Sequence, residues 1–345
     1  MSIGCKYGSH RVLEPAGVLP QPALRVNNDF STLYDNEILV DVSALNIDSA
    51  SFTQISQEAG GDLEKIAQAI MEIVAQRGKM QNPVTGSGGM FIGTVRWVGP
   101  ALKDCPLRPG DKIASLVSLS LTPLRIEKII KIHPEIDRVE IVGQAVLFES
   151  GLYAKLPQDI DEGLALAALD VAGAPAQAAR LVKPGDSVLI IGANGKSGML
   201  VAYEAKKRVG PTGRVVGAVL IDDPPGLLNE LNLVHETILA DATQALDLTR
   251  KALEANKGRE YDLVINCVNV PNTEMASILP CRQRGTVYFF SMATSFTKAA
   301  LGAEGVGKDI DMLIGNGYAQ GHAEITLEEL RENPALRRVF EERYV

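Results

Sequence analysis

A glycine-rich turn between an apolar segment and an amphipathic one constrains the fold of this chain more than any other feature. Ser187-Val-Leu-Ile-Ile191 is short, apolar and rich in β-branched residues, which predicts a buried strand. The turn Gly192-Ala-Asn-Gly-Lys-Ser-Gly198 follows, and Met199–Lys207 then has the pattern of a helix. A strand, a glycine turn and a helix in this order form the fingerprint of a dinucleotide-binding unit.

Each part of the turn has a physical role in holding a pyrophosphate. Gly195 lets the backbone approach the phosphates without a Cβ atom, and Gly198 lets the helix pack close to the strand. The helix N-terminus presents unpaired N–H groups to the phosphates. The residues predicted to bind the cofactor here are Gly192, Ala193 (in the first glycine position), Asn194, Gly195, Lys196, Ser197 and Gly198. A glycine turn without a ligand is the alternative.

The chain beyond Pro157 alternates between strand and helix patterns. The predicted strands are Ser187–Ile191, Arg214–Val219, Glu236–Leu239, Asp262–Cys267, Thr286–Phe290 and Ile310–Ile314. The predicted helices are Asp161–Ala179, Lys196–Val209, Leu227–Leu231, Thr243–Ala255 and Thr273–Cys281, and a last helix is predicted to begin at a capping box formed by Thr326 and Glu329. This alternation predicts an α/β fold with a doubly wound parallel sheet.

The chain before Pro157 has short strands and turns instead. The predicted strands are Glu37–Val42, Met90–Val98 and Lys112–Val117, and one helix is predicted between Asp62 as N-cap and Gly78 as its end. We therefore predict a β-rich domain at residues 1–157, a Rossmann domain at residues 158–318, and a C-terminal helix at residues 319–345 that packs back.

Composition limits the classes of function. The 345 residues carry a formal net charge of −8, which disfavours nonspecific binding of nucleic acid. No signal peptide and no run of about 18 apolar residues is visible, so we expect a cytoplasmic protein without membrane contact. The four cysteines and four histidines are scattered, without the spacing of metal ligands, so no metal site is expected.

The strand ends supply further candidates for cofactor binding, because ligands of such sheets bind at the carboxyl ends of the strands. The candidates are Asn266, Cys267 and Val268 after one strand, and Ser291, Met292 and Thr294 after the next. The choice between NAD and NADP stays open. Asp222 and Asp223 follow the second strand of the domain, where they either bind the adenosine ribose or form a solvated turn.

The order of the two domains resembles the medium-chain dehydrogenase/reductase superfamily. Asn36–Asn46, Gly88–Gly99 and Pro109–Lys112 resemble its GroES-like domain, which implies that the β-rich domain is GroES-like and catalytic. Zinc-dependent members carry Gly-His-Glu where this chain has Thr85–Gly89, so the resemblance implies a zinc-free enzyme. It also implies a homodimer or homotetramer, assembled through the strand Ile310–Ile314.

A closer resemblance is to the family of L-erythro-3,5-diaminohexanoate dehydrogenases of bacterial lysine fermentation. The segments that carry it are Gly4–Gly8, His10–Val12, Val18–Pro22, Leu45–Gln54, Gly78–Gly89, Leu169–Ala176 and Gly192–Gly198. The resemblance implies oxidative deamination at C3 of the diamino acid. The products are 5-amino-3-oxohexanoate and ammonia, and the hydride passes to NAD(P)⁺.

This chemistry needs a base for the 3-ammonium group, carboxylates near a cationic imine, and a partner for the substrate carboxylate. The resemblance implies that Asp48 faces the nicotinamide, where it would bind an ammonium while Ser49 or Ser51 relays a proton. A capping turn before a helix is the alternative. Lys79 would pair with the substrate carboxylate and Asn82, like Gln81, would donate to it. A solvated cation at a helix end is the alternative for Lys79.

Two further acids are candidates for the base. Glu149 lies between apolar neighbours, where burial would raise its pKa, and a surface position is the alternative. Asp170 lies in an apolar helical segment, and a helix-terminal or packing role is the alternative.

Two other functions fit the same motifs. One is a zinc-free reductase of a quinone or an enoyl thioester, whose site would not be rich in carboxylates. The other is a cofactor-binding protein without enzymatic activity. Turnover of a diamino acid with release of ammonia distinguishes oxidative deamination from both of these functions.

Overall fold

A computed structural model describes residues 2–222, 224–291, 293–315 and 317–345 of the chain. The chain divides into two compact units, Met1–Glu162 and Gly163–Val345. The division falls five residues beyond the predicted boundary at Pro157, and the predicted C-terminal segment lies within the second unit. Two residues of the sequence predictions, Asp223 and Met292, lie outside the described residues.

The first unit is built on an antiparallel sheet. Its strands are β1 (Val12–Glu14), β2 (Arg25–Val26), β3 (Glu37–Asn46), β4 (Met90–Val98), β5 (Lys112–Ser115), β6 (Leu124–His133), β7 (Arg138–Phe148) and β8 (Tyr153–Lys155). Its helices are α1 (Ser49–Ala59) and α2 (Leu63–Arg77). Six strands form one sheet in the order β6-β7-β3-β4-β5-β8, and β1 pairs with β2. This is the predicted β-rich domain.

Helix α2 begins and ends where its sequence predicts. The side chain of Asp62 accepts hydrogen bonds from the first-turn N–H groups, and Gly78 ends the helix with a left-handed φ of 70°. Ile66, Ile70 and Val74 are buried on one face, so the helical period of the apolar residues covers the sheet as expected.

Six helices and strands of this unit were not predicted: α1, β1, β2, β6, β7 and β8. Helix α1 buries Ser51, Phe52, Ile55 and Ala59 on one face, but only Phe52 and Ile55 are large apolar residues, so its sequence signal is weak. Strand β6 is an edge strand, with several exposed polar residues between its buried ones. Edge strands commonly carry such charged residues, and they hide the alternation that predicts a strand.

The second unit is a doubly wound parallel sheet. Its strands are β9 (Ser187–Ile191), β10 (Arg214–Val219), β11 (Glu236–Leu239), β12 (Tyr261–Asn266), β13 (Cys281–Phe289) and β14 (Asp311–Ile314). The helices that follow α2 in the chain are α3 (Glu162–Leu169), α4 (Gly173–Leu181), α5 (Lys196–Val209), α6 (Leu227–Glu230), α7 (Ala245–Ala255), α8 (Glu274–Ile278), α9 (Phe296–Gly305), α10 (His322–Glu332) and α11 (Pro334–Tyr344).

The strand order β11-β10-β9-β12-β13-β14 is the Rossmann order, and each neighbouring pair is parallel. The predicted fold class is therefore confirmed. The order reverses beside β9, which places the glycine turn at the point where such sheets bind their ligands.

The helical predictions at the edges of this unit need correction. The predicted helix 161–179 is broken into α3 and α4, and α9 was not predicted. Thr326 does not begin a helix, because it lies inside α10, where its buried Oγ1 donates to the carbonyl of Ala172 at 3.5 Å. The capping box is therefore wrong, and a second helix, α11, follows with Asn333 as its cap.

Among the helices of the described residues, none combines the length and the apolar character needed to span a membrane.

Candidate active site and dinucleotide turn

The glycine turn has the close backbone contacts that its sequence predicts. Gly192 adopts a left-handed φ of 81°, and a Cβ atom on Gly198 would lie 2.0 Å from the carbonyl oxygen of Gly192. Gly195 is the N-cap of α5, and it has no side chain to occupy the space above the first helical turn. The first N–H groups of α5 have no acceptor within the helix. The turn therefore fits a bound pyrophosphate.

Polar side chains fix the turn to its surroundings. The Nδ2 atom of Asn194 donates to the carbonyl of Ile221 at 2.7 Å, which joins the turn to the end of β10. The Nζ atom of Lys196 lies 2.6 Å from Oδ2 of Asp170. Arg343 in α11 donates through Nη1 to the carbonyl of Asn194 at 3.4 Å. Two cations thus lie at a turn suited to an anionic ligand.

The end of β12 is shaped by Asn266, which is fully buried. Its Nδ2 atom donates to the hydroxyls of Thr273 and Ser277, both at 2.9 Å, and its Oδ1 atom accepts the N–H of Val268 at 2.9 Å. Asn266 therefore positions the backbone of this strand end. A Cβ atom on Gly192 would lie 2.9 Å from the side chain of Val268, so this strand end packs directly on the turn.

Burial of the Cys267 thiol raises its pKa to about 12, so the group is a neutral thiol at physiological pH. A neutral thiol of this kind packs as a small residue and is not a nucleophile.

The end of β13 supplies Ser291, which is buried, and Thr294. The Oγ atom of Ser291 accepts the N–H of Ala293 at 3.1 Å. The Oγ1 atom of Thr294 is buried and has no hydrogen-bond partner among the described residues. Asp222, after β10, accepts the N–H of Gly226 at 2.9 Å and so stabilises its own turn. Both alternatives for Asp222 stay compatible with this bond, since its second oxygen is not used in it.

In the first unit, Asp48 lies two residues beyond β3. Its Oδ1 atom accepts the N–H of Ser51 at 3.0 Å and thereby caps α1, as the alternative interpretation predicts. Its Oδ2 atom is buried and has no hydrogen-bond partner among the described residues. A carboxylate oxygen held in this way is a ready acceptor for an ammonium group.

Ser51 and Asn82 belong to one hydrogen-bonded network. The hydroxyl of Ser51, which is buried, lies 2.6 Å from the hydroxyl of Thr85, which is exposed. The Nδ2 atom of Asn82 donates to Oε1 of Gln54 at 2.7 Å and to the carbonyl of Ser51 at 3.3 Å. Its Oδ1 atom accepts the N–H of Val84 at 2.8 Å. Asn82 therefore holds the Gly-rich loop against α1.

Lys79 is fully buried, so the alternative of a solvated cation at a helix end is wrong. Its Nζ atom donates to the carbonyls of Pro20 at 2.7 Å and Gln21 at 3.2 Å. Burial lowers the pKa of this ammonium group to about 8. Both acceptor residues line a cavity of about 200 Å³ in the first unit. Gln81, predicted as a donor to substrate, donates instead to the carbonyls of Gln21 and Gly86.

The two remaining acids lie in other surroundings than their sequence predicts. Glu149 is exposed, and its Oε2 atom accepts Nδ2 of Asn36 at 2.9 Å. Asp170 is also exposed and pairs with Lys196 beside the dinucleotide turn. The premise that apolar neighbours bury these carboxylates is therefore wrong, because both residues follow their buried elements at a turn.

The sequence interpretation missed two polar residues beside Asp48. Thr85 contacts the hydroxyl of Ser51, and Asp137 accepts the hydroxyl of Ser49 at 2.5 Å. Thr85 follows Asn82 in the Gly-rich segment Gly78–Gly89, which carries the family resemblance, so the sequence contains a signal for its position near the site. Asp137 lies in the turn between β6 and β7, and that hairpin was not predicted.

Within the described part of the chain, no group of three or more His, Cys, Asp or Glu side chains is arranged to hold a metal ion.

Comparisons with known proteins decide the family. A family model described as the L-erythro-3,5-diaminohexanoate dehydrogenase N-terminal domain matches residues 10–157. The chain is 66% identical over 343 residues to the L-erythro-3,5-diaminohexanoate dehydrogenase of Acetoanaerobium sticklandii, covering 99% of both chains. The chain belongs to this family. The enzyme of the same name from Fusobacterium nucleatum is 65% identical over 346 residues, covering 100% of both.

A solved structure of a mycobacterial protein complexed with NADPH has the same fold. Its TM-score is 0.53 at 17% sequence identity, over 97% of this chain and 88% of that one. At this identity the likeness shows the fold alone. It agrees with the predicted combination of a GroES-like domain and a Rossmann domain.

Proposed function

We propose that the chain is an NAD(P)-dependent enzyme that oxidatively deaminates L-erythro-3,5-diaminohexanoate. The observation that carries this proposal is the 66% identity, over 99% of both chains, to an enzyme of that name. The amine at C3 is oxidised to an imine, and water then adds to the imine carbon. Ammonia leaves, 5-amino-3-oxohexanoate is formed, and one proton is released.

The dinucleotide turn supports the cofactor part of the proposal. The nicotinamide of NAD⁺ or NADP⁺, when bound, accepts the hydride from C3. Gly195 and Gly198 leave the space that the pyrophosphate needs, and Lys196 adds a cation beside it. Thr294 offers a buried hydroxyl without a partner at the end of β13. The solved mycobacterial protein of the same fold binds NADPH.

The end of β3 supports the catalytic part. The amine at C3 must be neutral before it can give up a hydride, so a base has to take a proton from the ammonium group. Asp48 is assigned the role of this base because its Oδ2 atom is buried and has no hydrogen-bond partner among the described residues. The hydroxyls of Ser51 and Thr85, 2.6 Å apart, lead from a buried position to an exposed one and can pass a proton to water.

Lys79 stays a candidate partner of the substrate carboxylate, and Glu149 and Asp170 stay candidate acids. The contacts described above support other roles for them: Lys79 holds backbone carbonyls, and Asp170 lies on the phosphate side of the cofactor. Asn82 is assigned a positioning role, since each side-chain bond described for it joins the loop to α1 or to itself.

Assembly and location complete the proposal. We assign a homodimer or homotetramer formed through β14, which lies at the edge of the described sheet and exposes Met312 and Ile314. An exposed apolar edge strand is suited to pairing with a second copy. Light scattering of wild type and of Ile314→Lys tests this: the variant should be smaller, and a monomeric wild type contradicts the assignment. We assign the enzyme to the cytoplasm. Its binding partner is the small-molecule diamino acid, and we expect it to bind neither nucleic acid nor a membrane.

The test is turnover of synthetic L-erythro-3,5-diaminohexanoate with NAD⁺ or NADP⁺. We expect reduced nicotinamide and ammonia to form in equal amounts. Asp48→Asn keeps the cap of α1 but removes the base, so it should lower kcat roughly 100-fold or more. The exposed Asp104→Asn serves as control. Reduction of quinones or enoyl thioesters without oxidation of the diamino acid would contradict the proposal, and so would an absence of all turnover.

A further inference from the structure

A second acidic residue, Asp137, is attached to the segment that carries Asp48 beyond the end of β3. Asp137 is in the turn between β6 and β7, and two bonds fix it to the residues on either side of Asp48. Its carbonyl accepts the N–H of Ile47 at 3.0 Å. Its Oδ2 atom accepts the hydroxyl of Ser49 at 2.5 Å. The hairpin is therefore attached to the segment that carries the proposed base.

A group of paired charges follows Asp137 along the chain. The adjacent cation, Arg138, donates through Nη2 to Oε1 of Glu162 at 3.0 Å. Glu162 also pairs with Lys112, so this group of charges is organised around Glu162. Asp137 and Asp48 are both only partly exposed, which strengthens their interaction with a cation relative to a fully solvated carboxylate.

The substrate of the proposed reaction carries two amino groups, at C3 and C5, and both are cationic at neutral pH. Only the C3 group changes its charge during the reaction. The C5 ammonium stays charged from binding to release, so it needs a carboxylate that does not act as a base. One acid cannot serve both purposes, because a proton taken up by the base would remove its charge.

We propose that Asp137 binds the C5 ammonium of the substrate, while Asp48 faces the amine at C3. The assignment rests on the proposed function. A contact to the C5 ammonium is made equally in the ground state and in the transition state. It therefore lowers KM without raising kcat. Asp137 is on this account a specificity residue that selects a 3,5-diamino acid over an acid with one amine.

The test compares two substrates, L-erythro-3,5-diaminohexanoate and 3-aminohexanoate, which lacks the C5 amine. Asp137→Asn keeps an acceptor for Ser49 and a residue type that tolerates the left-handed φ of 54°. We expect it to raise KM for the diamino acid roughly 10- to 100-fold, with kcat changed little. KM for 3-aminohexanoate should stay within about twofold.

Two further variants separate binding from structure. Asp137→Gly keeps the left-handed backbone and loses the carboxylate, so it should show the same selective rise in KM. Glu135→Gln, an exposed change in the same hairpin, should alter neither substrate. Equal effects of Asp137→Asn on both substrates, or no effect on either, would overturn the role of Asp137 and leave the proposed function intact. A wild-type protein that oxidises neither substrate would overturn both.

Discussion

The ammonium group of Lys196, in the first turn of the dinucleotide helix, lies 2.6 Å from the carboxylate of Asp170. The pair is partly exposed, so its contribution to stability is small, about 1 kcal/mol or less. Its position matters more, because the acid reduces the positive charge that a pyrophosphate would meet.

Changing either member of this pair should therefore alter cofactor affinity in opposite directions. Lys196→Met should weaken dinucleotide binding several-fold, because it removes a cation beside the phosphates and leaves Asp170 in place. Asp170→Asn should strengthen binding by less than about tenfold, and both effects should shrink in high salt. Titration calorimetry measures both. If Asp170→Asn abolished turnover while cofactor binding stayed normal, Asp170 would be the catalytic base, as the sequence analysis proposed for it.

Gly198 should tolerate no side chain. A Cβ atom there would lie 2.0 Å from the carbonyl oxygen of Gly192, so Gly198→Ala must shift the helix away from the strand. We expect a loss of about 1–3 kcal/mol in the free energy of unfolding and weaker cofactor binding. Gly305→Ala, where a Cβ atom meets nothing within 4 Å, is the matched control and should be as stable as wild type or up to about 1 kcal/mol more stable. Equal stabilities of the two variants would contradict the packing described for the turn.

Lys79 should make the free energy of unfolding depend on pH in the alkaline range. Its pKa falls from the usual 10.5 to about 8 in the folded chain, because the ammonium group is buried without a carboxylate among its described partners. Between these two values the unfolded chain binds more protons, so the free energy of unfolding rises with pH. We expect wild type to gain on the order of 1–3 kcal/mol relative to Lys79→Met across this window. Denaturant unfolding at pH 7.5 and 10 measures the difference, and a constant difference would show that Lys79 does not titrate there.

Glu329 should have the opposite effect, so that the free energy of unfolding falls as the pH rises. Its carboxylate in α10 is buried and unpartnered among the described residues, and burial, followed by the charge of Glu204, raises its pKa well above the usual range. The folded chain therefore binds one more proton than the unfolded chain above about pH 4.5. The free energy of unfolding is highest at low pH and falls as the pH rises above this value. Glu329→Gln should match wild type near pH 5 and be more stable at pH 8, as measured by urea unfolding. Glu328→Gln, an exposed change in the same helix, should not show this divergence.

The sequence predicted the Rossmann unit well because its signals are local. The strand Ser187–Ile191, the turn and helix α5 lie next to one another in the chain, and glycine has few other reasons to occupy such spacing. The strand Met90–Val98 was likewise predicted with its observed bounds, since it is rich in β-branched and aromatic residues and has glycines on both sides. The sequence signals failed where contacts between distant residues determine the local structure. Thr326 has the residue type of a cap, but its hydroxyl is used against the carbonyl of Ala172, which is distant in sequence.

The candidate site was only partly predictable for the same reason. Asp48 was found through the family resemblance, and its bond to the N–H of Ser51 spans only three residues of the chain. Asp137 was missed because its contact with Ser49 joins residues 88 positions apart through a hairpin with a charged outer strand. Glu149 and Asp170 were judged by their apolar neighbours in sequence, but each lies just past a buried element, where the chain turns to solvent.

The central claim is that the hydrogen at C3 of the diamino acid passes to the nicotinamide. It is tested most directly with L-erythro-3,5-diaminohexanoate deuterated at C3, incubated with the chain and oxidised dinucleotide. Mass spectrometry of the reduced dinucleotide should show one deuterium for each molecule of ammonia released. Deuterium that stays in the organic product, or ammonia released without any label on the nicotinamide, would contradict the account.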